Sequence, residues 1–209
     1  MRNPWLAIPL ADYEGHMALP RIAQAQMLSG ILADVVDRFS PRSLAVLGCA
    51  GGNGFDGISP AITGRVVGVD LNPLYIAQAR ARYEGRFRSL ELLVADIQED
   101  AIAFEPVDLV FAALVLEYVD VDRVIARTRA MLGDEGRLVT VVQLPSPTSA
   151  KVTPSPFASL QALAEVMRLV PPHEVRQAAD LQGYTQIDSG IVASVGGKQF
   201  QVQVFDAAV

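Results

Sequence analysis

Short apolar runs alternate with stretches of helical spacing over the first two thirds of the chain. Leu44 to Cys49 is an unbroken apolar run, as expected of a strand covered on both faces. Val66 to Leu71 is a second strand, whose apolar run stops at Asp70. Leu90 to Ala95, Val107 to Ala113 and Gly136 to Gln143 continue the series. Between these runs the period changes. Ile22, Met27, Ile31, Leu32, Val35, Val36 and Phe39 recur at helical spacing after Pro20, and Ser40-Pro41 ends that helix. Asn53 to Ser59 reads as a short helix stopped by Pro60. Asn72 and Pro73 suit the N-cap and first position of a helix running to Tyr83. Asp120 to Leu132 reads as another helix, with Gly133 placed for a left-handed cap. Upstream, Met1 to Leu19 shows no period and reads as irregular.

The last third differs. Pro145 to Pro156 carries four prolines and several Ser and Thr, the composition of a connector or a loop over a site. Phe157 to Leu169 and Pro172 to Gln182 have helical spacing. Gln186 to Ser194 and Lys198 to Asp206 alternate around Gly196-Gly197, a hairpin signal. Strands alternating with helices imply an α/β fold. The expected architecture is a single-domain, doubly wound, mostly parallel seven-stranded sheet with an antiparallel C-terminal hairpin and helices on both faces. Within residues 1–209 the parts are an N-terminal arm and helix (1–40), a core (43–143), a helical insert or lid (144–183) and the hairpin (184–209).

Composition narrows the function. The chain has 209 residues, 51% hydrophobic and 19% charged, which suits one globular domain with a sizeable core. The formal charge of −6 and the lack of any Lys/Arg block argue against nucleic acid as a partner. Arg80, Arg82, Arg86 and Arg88 form a local basic run, read as a solvated face. One cysteine, Cys49, excludes an internal disulfide and suits a reducing, cytoplasmic compartment. Its place in an apolar strand marks it as a small buried hydrophobe. With only His16 and His173 beside that cysteine, no His/Cys metal site is expected. No signal-peptide pattern and no membrane-spanning apolar run is expected either.

The chemistry concentrates between Ser43 and Asn72. Gly48, Ala50, Gly51, Gly52, Gly54 and Gly57 crowd the turn after the first strand, where small residues let a ligand approach backbone N–H groups. Asp70 stands at the carboxyl end of the second strand, placed to accept hydrogen bonds from two ribose hydroxyls. Two nucleotide classes fit. Gly52 to Gly57 matches the dinucleotide fingerprint G-x-G-x-x-G, but Asp70 follows sooner than about 20 residues past the motif, and Pro60 cuts the helix short.

The second class takes in more of the chain. VLGCAGGNG (Val46 to Gly54), VVGVDLNP (Val66 to Pro73), LLVADI (Leu92 to Ile97), DLVFAALVLEYV (Asp108 to Val119) and LGDEGRLVTVV (Leu132 to Val142) resemble the class I S-adenosylmethionine-dependent methyltransferases, in that family's order and spacing. The resemblance implies S-adenosyl-L-methionine as cofactor. Gly51, Gly52 and Gly54 would belong to the turn that cradles its methionine part, with Ala50 where the first glycine usually stands and Gly48 where an acid usually stands. Asp70 and Leu71 would meet the ribose, Asp96 and Ile97 the adenine, and Ala112, Ala113 and Leu114 the amino acid part. An Ala50 held at positive φ would be costly there. Glu117 stands where many small-molecule members carry histidine.

No catalytic residue is evident. Tyr13, Glu14, His16 and Glu117 are the candidates, His16 for its intrinsic pKa. His173 reads as a surface residue, and Trp5 as an anchor of the N-terminal arm or a substrate contact. The expected activity is methyl transfer to a small-molecule acceptor, entering near the fourth and fifth strands under the arm and the insert. The alternatives are a non-catalytic cofactor-binding or interaction protein on the same fold, and an NAD(P)-dependent oxidoreductase.

Overall fold

The computed structural model describes residues 3–146 and 150–207. Seven strands form one sheet: β1 (Ser43–Leu47), β2 (Arg65–Asp70), β3 (Ser89–Val94), β4 (Val107–Ala113), β5 (Leu132–Gln143), β6 (Tyr184–Ala193) and β7 (Gln199–Ala207). Their order is β3-β2-β1-β4-β5-β7-β6. The first five are parallel, and β7 pairs antiparallel with both β5 and β6. The helices are α1 (Leu10–Ala18), α2 (Gln24–Phe39), α3 (Pro73–Tyr83), α4 (Val121–Met131), α5 (Leu163–Val166) and α6 (Pro172–Leu181).

The two-residue period of a strand divides the core. On β1, Leu44 and Val46 face one way and pack with Leu32 and Val36 of α2 and Ile76 and Ala79 of α3. Ala45 and Leu47 face the other way and pack with Val124 and Ile125 of α4 and Val175 and Ala179 of α6. Helices therefore cover both faces, and the central strands are apolar throughout for that reason. The order reverses between β1 and β4, which opens a crevice beyond their carboxyl ends.

Several boundaries depart from the hydrophobic pattern. The stretch read as irregular contains a 3-10 turn, Pro4–Leu6, and α1. Helix α1 has no side-chain cap and holds a glycine, so its own residues barely announce it. Docking supports it instead: a Cβ at Gly15 would sit 2.5 Å from Cζ of Phe157. Helix α2 begins at Gln24 rather than at Pro20, because Ala23 is left-handed (φ 48°). Between Asn53 and Ser59 only a 3-10 turn, Phe55–Gly57, forms, since Gly54 has φ 86°. Gly133 is not a left-handed cap. Leu132 is already extended, so β5 starts directly at the end of α4 and pairs with Val107.

The expected long helix from Phe157 to Leu169 is a 3-10 turn, Ala158–Ala162, followed by the single turn of α5. Met167 is extended (ψ 127°), which ends α5 at Val166, short of Leu169. The connector at 145–156 is described except at residues 147–149. Arg82 of the basic run is no bare solvated group: it pairs with Glu14 and donates to the carbonyl of Gly51 at 3.2 Å. His173 is exposed at the start of α6, and Cys49 is buried just past the end of β1.

Candidate active site

Asp70 forms the floor of the crevice. The carboxyl end of β2 places it there, 8% exposed. One oxygen accepts from the Ala50 backbone N–H and the other from that of Asn72, both at 2.9 Å. Burial raises its pKa, and these two N–H groups oppose the rise. Each oxygen keeps a lone pair, so the carboxylate can accept two further hydrogen bonds. Asn72 caps α3 through Oδ1, which accepts from Leu74 N at 3.0 Å, and its Nδ2 donates to the Trp5 carbonyl at 2.9 Å. Tyr75 donates to the Ile8 carbonyl at 2.9 Å. The first turn of α3 thus pins the N-terminal arm beside the crevice.

The glycine-rich turn is shaped by backbone requirement. Gly48 has φ 70°, and a Cβ there would lie 3.1 Å from Cγ2 of Val115. Glycine at this position suits both the dihedral and the Val115 side chain. Ala50 has φ 48° and Leu114 φ 55°. Left-handed geometry costs about 1–2 kcal/mol at a non-glycine residue. Such strain gathers at functional sites, and here both residues border the crevice.

A cleft of about 750 Å³, counting its open mouth, occupies this place. Gly48, Ala50, Asp70, Leu71, Asp96, Ile97, Ala113 and Leu114 of the expected cofactor residues line it. Gly51, Gly52, Gly54 and Ala112 do not. Gly51 faces Arg82 and Glu14, Gly52 packs on the Tyr83 ring, and Gly54 lies against Leu32. Ala112 is in the core. Residues that the motifs did not single out complete the cleft: Tyr75, Gln98 and Tyr118, with Trp5 and Tyr13. The Trp5 ring meets Tyr13 (5.5 Å) and Tyr118 (5.1 Å) edge to face.

Beyond Trp5, Tyr13, Leu114 and Tyr118 lies a second pocket, sharing those four residues with the cleft. His16, Gln143, Lys151 and Lys198 line it, with apolar Leu160, Leu163 and Met167. Of the four catalytic candidates, Tyr13 touches both spaces and His16 the second. Burial, with Lys198 and Arg21 nearby, pushes the His16 pKa below its usual value. Burial pushes Tyr13 up to about 12, so it stays protonated. Glu14 is tied to Arg82 and lines neither space. Glu117 is 1% exposed and also lines neither; its Oε1 accepts from Gln143 N at 2.8 Å, and burial pushes its pKa up to about 7. Among the described residues no group of three or more His, Cys, Asp or Glu could hold a metal ion, and no helix is long and apolar enough to cross a membrane.

The cleft is open, floored by the buried Asp70 carboxylate and walled in part by the rings of Trp5, Tyr13, Tyr75 and Tyr118. The sheet order and the antiparallel C-terminal hairpin are those of a methyltransferase-like Rossmann α/β fold. Residues 45–140 match the family model described as a methyltransferase domain. Solved structures agree in fold. The N-methyltransferase NodS from Bradyrhizobium japonicum WM9, in complex with S-adenosyl-L-homocysteine, is 18% identical, with TM-score 0.65 over 90% of this chain and 88% of that one. Geranyl diphosphate C-methyltransferase from Streptomyces coelicolor A3(2) is 16% identical, with TM-score 0.66 over 90% and 84%. Magnesium protoporphyrin IX methyltransferase from Synechocystis PCC 6803, with bound SAM, is 13% identical, with TM-score 0.64 over 88% and 79%. No curated protein sequence matches the chain.

Proposed function

We propose that this protein transfers the methyl group of S-adenosyl-L-methionine to a small-molecule acceptor held in the second pocket. The observation that carries the reading is the pairing of two spaces. One is floored by Asp70 at the switch point of the sheet; the other is reached past Trp5 and Tyr118. The similar structures include a geranyl diphosphate C-methyltransferase and a magnesium protoporphyrin IX methyltransferase, which supports a small acceptor.

In this reading Asp70 accepts from the ribose hydroxyls, and Asp96 and Ile97 meet the adenine. The backbone at Gly48, Ala113 and Leu114 faces the methionine end. The bound cofactor supplies a methyl group already activated on a sulfonium. The protein's part is to align a nucleophile with it and exclude water. The N-terminal arm and residues 150–183 form the cover, on a single domain. His16, kept neutral near pH 7 by burial and adjacent cations, can take a proton from an acceptor that must lose one.

Gly48 and Ala50 favour one second reading, a cofactor-binding protein without transfer, because an acid and a glycine of the resembling family are missing. The fold alone does not choose, since the [4+2]-cyclase SpnF has a similar structure (13% identical, TM-score 0.64). Calorimetric titration with S-adenosylmethionine, S-adenosylhomocysteine and NAD tests both. Binding of the first two and not the third supports the proposal. NAD binding points to an oxidoreductase, and silence from all three removes the cofactor reading.

A further inference from the structure

The chain carries 17 basic residues, and only two of them, Lys151 and Lys198, are lysines. Both line the second pocket, although 47 positions separate them. Lys198 is 5% exposed. Its ammonium donates to the Lys151 carbonyl at 2.6 Å and to Oε1 of Gln143 at 3.2 Å. Both acceptors are neutral, and among the described residues the third N–H meets no acceptor. Among the described residues no carboxylate pairs with either lysine, and none of the pocket's lining residues is acidic. His16, 6% exposed on the same wall, leaves Nδ1 without a hydrogen bond. A buried charge without a counter-charge is costly. It is the more unusual in a chain with a formal charge of −6, where carboxylates outnumber cations.

The geometry points to an acceptor that bears a carboxylate, seated on the Lys198 ammonium and the unpaired Nδ1 of His16, with its apolar body against Trp5, Tyr118 and Met167. This rests on the methyltransferase reading above, and names the acceptor class. A carboxylate fits better than a phosphate. The pocket offers one buried cation and no arginine fork, whereas a dianion calls for several charged donors. Burial without an opposing carboxylate has already brought Lys198 down to about 8, still charged at neutral pH. A bound carboxylate would relieve that cost and displace no existing ion pair.

Trp5 is the only tryptophan and lines the pocket, so its fluorescence reports occupancy. S-adenosylhomocysteine is titrated first, then phenylacetate, phenylacetamide and phenyl phosphate into the loaded protein. Phenylacetate is expected to bind about tenfold or more tighter than its amide, and tighter than phenyl phosphate. Lys198→Met is expected to abolish that preference while S-adenosylhomocysteine affinity stays, because Lys198 does not line the cofactor cleft. Equal affinity for acid and amide, no binding of the acid, or a preference for the phosphate overturns the inference. The wild-type comparison decides even where the variant fails to fold. Failure to bind S-adenosylhomocysteine would sink the methyltransferase reading instead, and with it the acceptor role; the acid–amide comparison on the unloaded protein would then decide only whether the pocket holds a carboxylate.

Discussion

Replacing Glu117 by Gln should change the pH dependence of stability in a defined way. The carboxyl is 1% exposed; Oε1 accepts from Gln143 N, and Oε2 has no partner. Burial raises its pKa from 4.5 to about 7, against the backbone N–H groups and Arg168, which pull it down. A folded-state pKa above the unfolded value means that the native protein binds this proton more tightly. The stabilisation is full below pH 4.5 and is lost as pH rises through 7. At about 1.4 kcal/mol per unit, the loss amounts to about 3 kcal/mol. Glutamine has no such titration. The stability of Glu117→Gln relative to wild type should therefore rise by about 3 kcal/mol between acid and mildly alkaline pH. Urea unfolding of both proteins across that range measures the difference at each pH, and titrations common to both cancel. A difference that stays flat with pH would refute the reasoning, since it would mean that Glu117 ionises alike in both states.

Asp70→Asn keeps one acceptor oxygen and turns the other into a donor, so S-adenosylhomocysteine affinity should fall about tenfold or more; calorimetry giving unchanged affinity would remove Asp70 from the site. Ala50→Gly relieves a left-handed alanine, and thermal unfolding should show a gain of about 0.5–1 kcal/mol; a lower melting temperature would contradict that. Gly15→Ala puts a methyl group against the Phe157 ring, so the insert should be cut faster by protease while the sheet remains intact; an unchanged digestion pattern would speak against the docking of α1 on that insert.

Much of the sheet was legible because β1, β2 and β4 are buried on both faces and must be apolar along their length. The position of Asp70, at the end of β2 and on the cleft wall, was legible as well, since a carboxylate ending an apolar run stands out. What stayed hidden depends on tertiary contact or on dihedrals. Helix α1 has few helical signals of its own and leans on Phe157. The left-handed φ of Ala50 could be posed only as a condition. Gly133 looked like a cap, yet the chain passes from α4 into β5 without one. The second pocket was missed because its wall is drawn from His16, Gln143, Lys151 and Lys198, distant in sequence. A signal did exist: two lysines in a chain that otherwise uses arginine.

Cys49 has a practical consequence. It is 1% exposed, and burial with Asp70 nearby holds its thiol well above the usual value. The thiolate is the form that attacks a thiol reagent, so this buried, protonated sulfur is silent on both counts. A cysteine introduced on the surface, on the arm or on the insert, would be the one group that such reagents modify. Probes of distance or mobility could then be attached at chosen points of an otherwise native chain.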